Sequence, residues 1–401
     1  MNATTFPIQL KDFKQKQVLN TIRLYGEISG AQIARLTNIL PSTIVYILRS
    51  LKKEGLIQVS RIGNSSSVGG KPPTLWQLRS DRGVIVGLEI IPKEIRTTII
   101  DFSNKIVYQE KRQSLGKIEG TQTESVVRNY INQLVEEQNI PREKILGIGL
   151  ALPGLIDSRK GIIHYSKSLD LRNYPLQNLL QKSLGLPILI SNDANAGALG
   201  VKWYPNSLEA LPENIIYLTI NEDFFSIGAG LIIAHKLYDG FSGTAGEIFP
   251  ILPPISKLVK IAVQKYKNES QVIREFGNWG DILFSDLLKF GSENSRIANY
   301  VFRNIGLIVS KKIIDIIAFL NPELIVIGGD ISQVEFFVND YIIPYVKRKS
   351  AKLFPIGISL PKIAFSPFGI YSVSMGATAL ILREILNEDN NNALVMRERK
   401  A

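Results

Sequence analysis

Residues 189–200 read L-I-S-N-D-A-N-A-G-A-L-G. An apolar run ending at Ile190 stops at Ser191-Asn192-Asp193-Ala194-Asn195, and a helical run of small residues follows. A carboxylate and two carboxamides at the end of a buried strand are costly to desolvate unless something pairs with them. In open α/β sheets, ligands bind beyond the carboxyl ends of the strands. One reading of the stretch is therefore a polar-ligand pocket centred on Asp193. Another is an Asx turn and helix cap, in which Asn192 and Asp193 accept from backbone N–H groups.

Strand and helix patterns alternate on both sides of this junction. Upstream, residues 83–90 form a buried strand, and 96–101 and 106–110 make a meander with it, turning at Ser103-Asn104. Residues 121–137 are an amphipathic helix, and 145–154 a glycine-rich strand running into a tight turn. Downstream the plan repeats, with strands over 215–220 and 228–233, a turn over 236–240 and the segment Gly243-Thr244-Ala245-Gly246-Glu247-Ile248. From residue 283 the chain is helical, and Val301, Ile305, Ile308, Val309, Ile313, Ile316 and Ile317 make one wide apolar face. Asn321-Pro322 stops that helix, 324–330 is a strand and glycine turn, and a small-residue helix closes the body over 372–386. The order implies a two-lobed α/β body with a cleft between the lobes.

Composition bounds the chemistry. At 45% hydrophobic and 21% charged residues, the 401-residue chain has an ordinary soluble globular balance. With no Cys, disulfides, thiolate catalysis and Cys-based zinc sites are excluded, and His164 and His235 are too few for a His-rich metal site. No signal-peptide core and no uninterrupted membrane-length apolar run is evident, so a cytoplasmic location with no membrane partner is expected. Residues 1–80 hold 11 Lys/Arg against 3 Asp/Glu, a charge of +8, while 81–401 hold 36 against 33, a charge of +3. The excess marks a basic N-terminal module with a polyanionic partner.

That module reads as three helices and a β-ribbon. The first helix covers 11–25, Ser29 caps a second over 30–37, and Pro41 opens a third running to about residue 54. Ile44, Ile47, Leu48 and Leu51 face inward, leaving Ser42, Thr43, Tyr46 and Arg49 on the opposite face. Strands over 56–60 and 74–78 flank the loop R-I-G-N-S-S-S-V-G-G-K-P-P. The whole describes a winged helix-turn-helix. Ser42, Thr43, Tyr46 and Arg49 are its candidate base-reading residues, and Arg61 and Lys71 its candidate phosphate or minor-groove contacts.

Several segments together resemble the ROK family (repressors, open reading frames, sugar kinases): I-L-G-I-G-L-A-L-P-G-L-I-D at 145–157, L-D-L-R-N-Y-P-L at 169–176, S-N-D-A-N-A-G-A-L-G at 191–200, the spacing of 228–247, and N-P-E-L-I-V-I-G-G at 321–329. The wing tip G-G-K-P-P-T-L is similar to that of the family's sugar-responsive repressors. The resemblance implies an actin-like body with a small lobe of about 81–200 plus the C-terminal helix and a large lobe of about 201–371. The winged helix (1–80) precedes this body (81–387), and a polar tail (388–401) follows it. It further implies that Gly154, Asn173, Asn192, Asp193 and Glu247 bind a sugar effector. The implied partners are a palindromic double-stranded DNA operator and a second copy of the chain, as a homodimer or dimer of dimers.

The departures from the family's kinases decide against catalysis. Their first phosphate loop, Asp-x-Gly-Gly-Thr, is here Glu89-Ile90-Ile91-Pro92-Lys93, and the second, Gly-Thr-Gly-Ile-Gly, is Phe224-Phe225-Ser226-Ile227-Gly228. Phosphoryl transfer depends on positioning and charge stabilisation, so loss of both loops should abolish it. The family's Gly-Glu-Ile-Gly-His is Gly246-Glu247-Ile248-Phe249-Pro250, and the Cys-rich zinc segment is absent, so no metal and no cofactor is expected. A sugar-responsive transcriptional repressor without enzyme activity is the leading reading. A DNA-binding protein whose body is only a dimerisation scaffold, and an active sugar kinase, are the alternatives.

Overall fold

Long runs of Ile, Val and Leu build the first sheet. The computed structural model describes residues 6–10, 12–63, 72–92, 94–113, 118–205, 212–221, 227–248, 254–266, 282, 284–289, 295–354 and 359–386. The chain divides into two compact units, Met1–Leu211 with Val373–Ala401, and Pro212–Ser372. In the first unit β4 (Val84–Ile91), β5 (Glu94–Asp101), β6 (Ile106–Gln113), β7 (Ile145–Leu152) and β11 (Ile188–Asn192) form a sheet in the order β11-β7-β4-β5-β6. The meander β4-β5-β6 is antiparallel, whereas β11 and β4 flank β7 in parallel. Every residue of β5 and β7 is buried, as strands covered on both faces require.

One cover is α4 (Thr123–Glu137) with α5 (Leu176–Leu184), whose Val127, Ile131, Leu134 and Leu180 share a core with Leu88, Ile99, Ile148 and Ile190. The other includes α6 (Asp193–Trp203) and the C-terminal helix α11 (Ser372–Leu386). The glycines of the sheet belong to this second cover. A Cβ on Gly87 would lie 2.1 Å from the carbonyl oxygen of Ser374, and one on Gly149 would lie 1.9 Å from that of Ala377. Only glycine lets α11 lie this close to the sheet. The segment Gly369–Leu386 is long enough and, on mean hydropathy, apolar enough to cross a membrane, although Arg383, Glu384 and several Ser and Thr residues interrupt it. It is 72% buried, and the close contacts to Gly87 and Gly149 make it a core helix.

The N-terminal module falls in this same unit. Its α1 (Phe13–Tyr25), α2 (Gly30–Thr37) and α3 (Pro41–Lys53) enclose Val18, Ile22, Ile33, Ile44, Ile47 and Leu51. Ser29 makes a full capping box with Gln32, which fixes where α2 starts. Asn38 takes the left-handed conformation at the end of α2. The ribbon strands β2 (Ile57–Ile62) and β3 (Thr74–Leu78) pair as expected, and a further two-residue strand, β1 (Ile28–Ser29), adds to β3.

A second small sheet was not expected. β8 (Leu155–Asp157), β9 (Ile162–Ser166) and β10 (Leu171–Tyr174) pair antiparallel in the order β10-β9-β8. Strands of three to five residues mixing His, Tyr, Ser, Arg and Asn carry no clean period-two signal, so pairing alone reveals them.

In the second unit, β12 (Ile215–Ile220), β13 (Ile227–Ile233), β14 (Lys236–Leu237), β16 (Leu324–Gly328) and β17 (Lys362–Phe365) lie in the order β14-β13-β12-β16-β17, with β15 (Glu247–Ile248) paired to β13. Among the described residues, α7 (Ile255–Lys265), α8 (Phe284–Lys289), α9 (Arg296–Leu320) and α10 (Ile343–Leu353) supply its helical layer. Phe284, Phe302 and Phe337 form its aromatic centre, with ring centroids 5.0–6.0 Å apart. The asymmetric demand on Gly149 is testable. Gly149→Val should lower stability by about 1–3 kcal/mol or more through overpacking against α11, read as a drop in the denaturant midpoint.

Candidate functional site

Parallel register brings the candidate residues of the first unit to one sheet end. Asn192 lies opposite Leu152, so the end of β11 and the turn after β7 are neighbours. The Asn192 side-chain amide donates to the Gly154 carbonyl at 3.1 Å. Its oxygen accepts from the N–H groups of Ala194 and Asn195 at 2.9 and 3.2 Å, capping α6. The capping geometry thus exists, and Asn192 uses it to pin a helix start to a neighbouring turn. Asp193 opens the helix with 9% of its surface exposed, and its Oδ1 accepts from the Ala194 N–H at 2.8 Å. A carboxylate in a helix's first turn also sits favourably against the helix dipole.

Gly154 adopts φ 125°, and a Cβ there would come within 2.4 Å of the Tyr165 carbonyl oxygen. The turn thereby touches β9, where Tyr165 pairs with Arg172 of β10. Asn173 follows, exposed and at φ 45°, a conformation that asparagine tolerates better than most residues. The structure therefore brings Gly154, Asn192 and Asp193 together and sets Asn173 on the small sheet beside them.

Glu247 belongs to the second unit. It lies on β15 opposite Gly228, half-buried, and burial pushes its carboxyl above the usual 4.5. The preceding Gly246 has φ 93°, and a Cβ there would meet the Ala229 carbonyl oxygen at 1.8 Å. Lys71, the aromatic loop over 222–226, and Phe249 with Pro250 lie outside the described residues, as does the tail after 386.

A charged row runs across the first sheet at the level of this site. Register places Ser191, Ala151, Glu89, Arg96 and Lys111 side by side on successive strands. The Arg96 guanidinium lies 3.5 Å from Glu89 and 2.6 Å from Glu94, and Lys111 lies 3.0 Å from Glu94. Glu89 and Arg96 are almost fully buried. Sequence reading passed over this cluster, although its signal was present. Glu94 and Arg96 share a strand face, and the tight turn at Pro92 pairs Ile91 with Glu94, which places Arg96 opposite Glu89.

On the N-terminal module, Ser42, Tyr46 and Arg49 are exposed on α3 and Thr43 is half-buried. Leu40 and Val45 join them at 72% and 48% exposure, two apolar side chains that the sequence reading had not singled out. Arg61 is exposed at the wing and pairs with Glu27 at 2.8 Å. A surface pair of this kind contributes little to stability.

A family model described as ROK family matches residues 85–253. This chain carries a ROK family domain. It is 27% identical over 407 residues to a protein named xylose repressor from Caldicellulosiruptor bescii, covering 94% of this chain and 97% of that one. It is 23% identical over 394 residues to the DNA-binding transcriptional dual regulator NagC of Escherichia coli, covering 94% of both. Among solved structures, a ROK family transcriptional regulator described as a homologue of the E. coli MLC protein superposes with TM-score 0.70 at 20% identity, over 94% of this chain and all of that one. A ROK family glucokinase from Streptomyces griseus, solved with glucose and AMPPNP, superposes with TM-score 0.60 at 18% identity over 74% of this chain and 99% of that one. The fold is thus the actin-like ROK fold with an N-terminal helix-turn-helix extension. At the sheet end, the Glu89 carboxylate faces Arg96.

Two outcomes follow from these electrostatics. Arg96→Ala takes away the cation facing buried Glu89 and leaves Glu94 only Lys111, so it should cost about 3–5 kcal/mol in chemical denaturation. Glu247 has a folded-state pKa above its unfolded value, so the native state binds its proton more tightly and stability falls as pH rises from 4.5 through the raised value. Glu247→Gln removes this term. The variant's melting temperature should gain on the wild type across that window and run parallel above it.

Proposed function

We propose that this ROK protein is a sugar-responsive transcriptional repressor that has no sugar-kinase activity. The observation that carries the reading is the joining, in one chain, of an exposed polar α3 face on a basic module to a ROK body of repressor-like length. Curated relatives spanning 94% of the chain are named repressors of xylose and N-acetylglucosamine. In the major groove, Ser42, Thr43, Tyr46 and Arg49 supply hydrogen-bonding groups for base edges, with Arg49 suited to guanine. Leu40 and Val45 suit thymine methyl groups, which would relieve the cost of their exposure to water. Arg61 and Lys71 hold phosphates, making affinity fall with salt. Two copies of the chain place two readers on a palindromic operator in the cytoplasm.

The effector is a sugar whose hydroxyls pair with Asp193 and Asn173 beside the Gly154 turn. Glu247 is proposed as a further acceptor. Asn192 acts mainly by holding the turn, and keeps a second amide N–H for the ligand. Asp193 has the position of a kinase general base, but the Ile91-Pro92 turn offers no run of glycine N–H groups for phosphates, and Glu89 is held by Arg96. Asp193 therefore senses a hydroxyl without activating it.

The test uses the full-length chain, a duplex selected by the protein from a random pool, and D-xylose, D-glucose and N-acetylglucosamine. Wild-type operator binding should shift with one of them, and no ATP should be consumed. Asp193→Ala should keep operator affinity and lose the sugar response. Intact operator binding with silent sugar calorimetry would leave the body as a dimerisation scaffold, and ATP turnover lost in Asp193→Asn would make it a kinase.

A further inference from the structure

Arg23 of the N-terminal module reaches the helix that starts at Asp193. Arg23 lies in the last turn of α1. Its Nη1 donates to the Trp203 carbonyl oxygen at 2.7 Å, across 180 residues of sequence. Its guanidinium carbon sits 4.5 Å from the centroid of the Trp203 ring. A helix's last carbonyls lack intrahelical partners and carry the negative end of its dipole, so a guanidinium there is doubly favourable. Stacking on the indole adds a cation–π attraction, which is stronger where water is excluded, and Trp203 is 1% exposed. The Arg23 Nε also donates to Asn20 at 2.8 Å, which holds the guanidinium plane against rotation.

The other end of the same helix is the proposed effector site. α6 has 11 residues, about 16 Å of rise, and all but Lys202 are buried. It is held rigidly between its ends. A Cβ on Gly376 of α11 would lie 1.7 Å from the Ala196 carbonyl oxygen, so the two helices interlock. Just past α6, the Tyr204 hydroxyl bonds Thr378 of α11 at 2.7 Å. Packing this dense does not absorb a displacement at Asp193 by deforming. It passes the displacement along the helix axis to Trp203. On the reader side, α1 packs Val18, Leu19 and Ile22 into the core shared with α3, and Gln15 donates to Ser50 of α3 at 3.3 Å. A separate link, Lys144 donating to the Asp81 carbonyl, joins the end of the module to the sheet.

We propose that Arg23 is the positioning residue that couples the effector site to the DNA reader, by clamping the C-terminus of α6 to α1. This rests on the reading of Asp193 as a sugar contact. In this arrangement the sugar biases the position of α6, Arg23 carries that bias into α1, and α3 follows as part of the same small core. The clamp has no part in binding the sugar or the operator. Its removal should uncouple two intact sites rather than damage either.

The experiment compares wild type, Arg23→Ala and Arg23→Lys as full-length chains. Operator affinity is measured with and without each of the three sugars, and sugar affinity by calorimetry with and without the operator. Couplings of this kind are typically about 5- to 150-fold, and linkage makes them equal in both directions. In Arg23→Ala, operator affinity without sugar and sugar affinity without operator should stay within about threefold of wild type, while both couplings collapse to below about twofold. Arg23→Lys keeps the charge and a donor but not the flat stacking surface, and should fall between. A merely structural role would lower affinity or melting temperature without abolishing the reciprocal coupling. If wild type responds to sugar and Arg23→Ala responds equally, the clamp is refuted while the effector reading stands. If wild type itself responds to none of the sugars, the effector reading falls and the clamp with it.

Discussion

The hydrogen bonds of one carboxamide fix the geometry on which this protein depends. Asn192 ends the edge strand β11, caps the helix that follows, and binds the carbonyl of the turn at the end of the neighbouring strand. These bonds set the direction in which α6 leaves the sheet. That direction places Asp193 at the carboxyl end of β11 and Trp203 against α1. The glycines of β4 and β7 complete the constraint from below. They let α11 approach the sheet closely enough to interlock with α6 through Gly376.

The same sheet end carries a charged cluster beside a tight turn. A phosphate loop needs backbone N–H groups free to approach oxygen atoms. Here the segment is a tight turn at Pro92, and the strands beside it carry a chain of ion pairs from Glu89 to Arg96, Glu94 and Lys111. Buried charges persist only when paired, so each member of the cluster holds the others in place. The polar groups at the ends of β7 and β11 are left as the chemically versatile part.

In the N-terminal module, the apolar side chains of α3 and of Leu40 just before it divide between core and surface. Ile44, Ile47, Leu48 and Leu51 build the core, whereas Leu40 and Val45 remain in water. Exposed apolar groups beside Arg49 and Tyr46 fit a surface whose partner offers both methyl groups and hydrogen-bonding edges. The basic surplus of residues 1–80 surrounds this face with a positive field.

Much of this was legible in the sequence, because it is local. Ser29 and Gln32 announce a helix start, Pro41 another, and the spacing of Ile44, Ile47, Leu48 and Leu51 an inward face. The strand ending at Asn192 followed from an apolar run meeting a polar cluster, and both readings of that cluster rested on groups only a residue or two apart. Tertiary structure decided what depends on distant partners. Arg96 could be assigned to Glu89 only through strand register, and the strands of the small sheet only through their pairing. The need for glycine at 149 is set by a helix more than 220 residues later. Arg23 read as one more basic residue of a charged module, because nothing near it in sequence reveals Trp203. Periodicity and capping act over a few residues, whereas a guanidinium's partner is chosen by the fold as a whole.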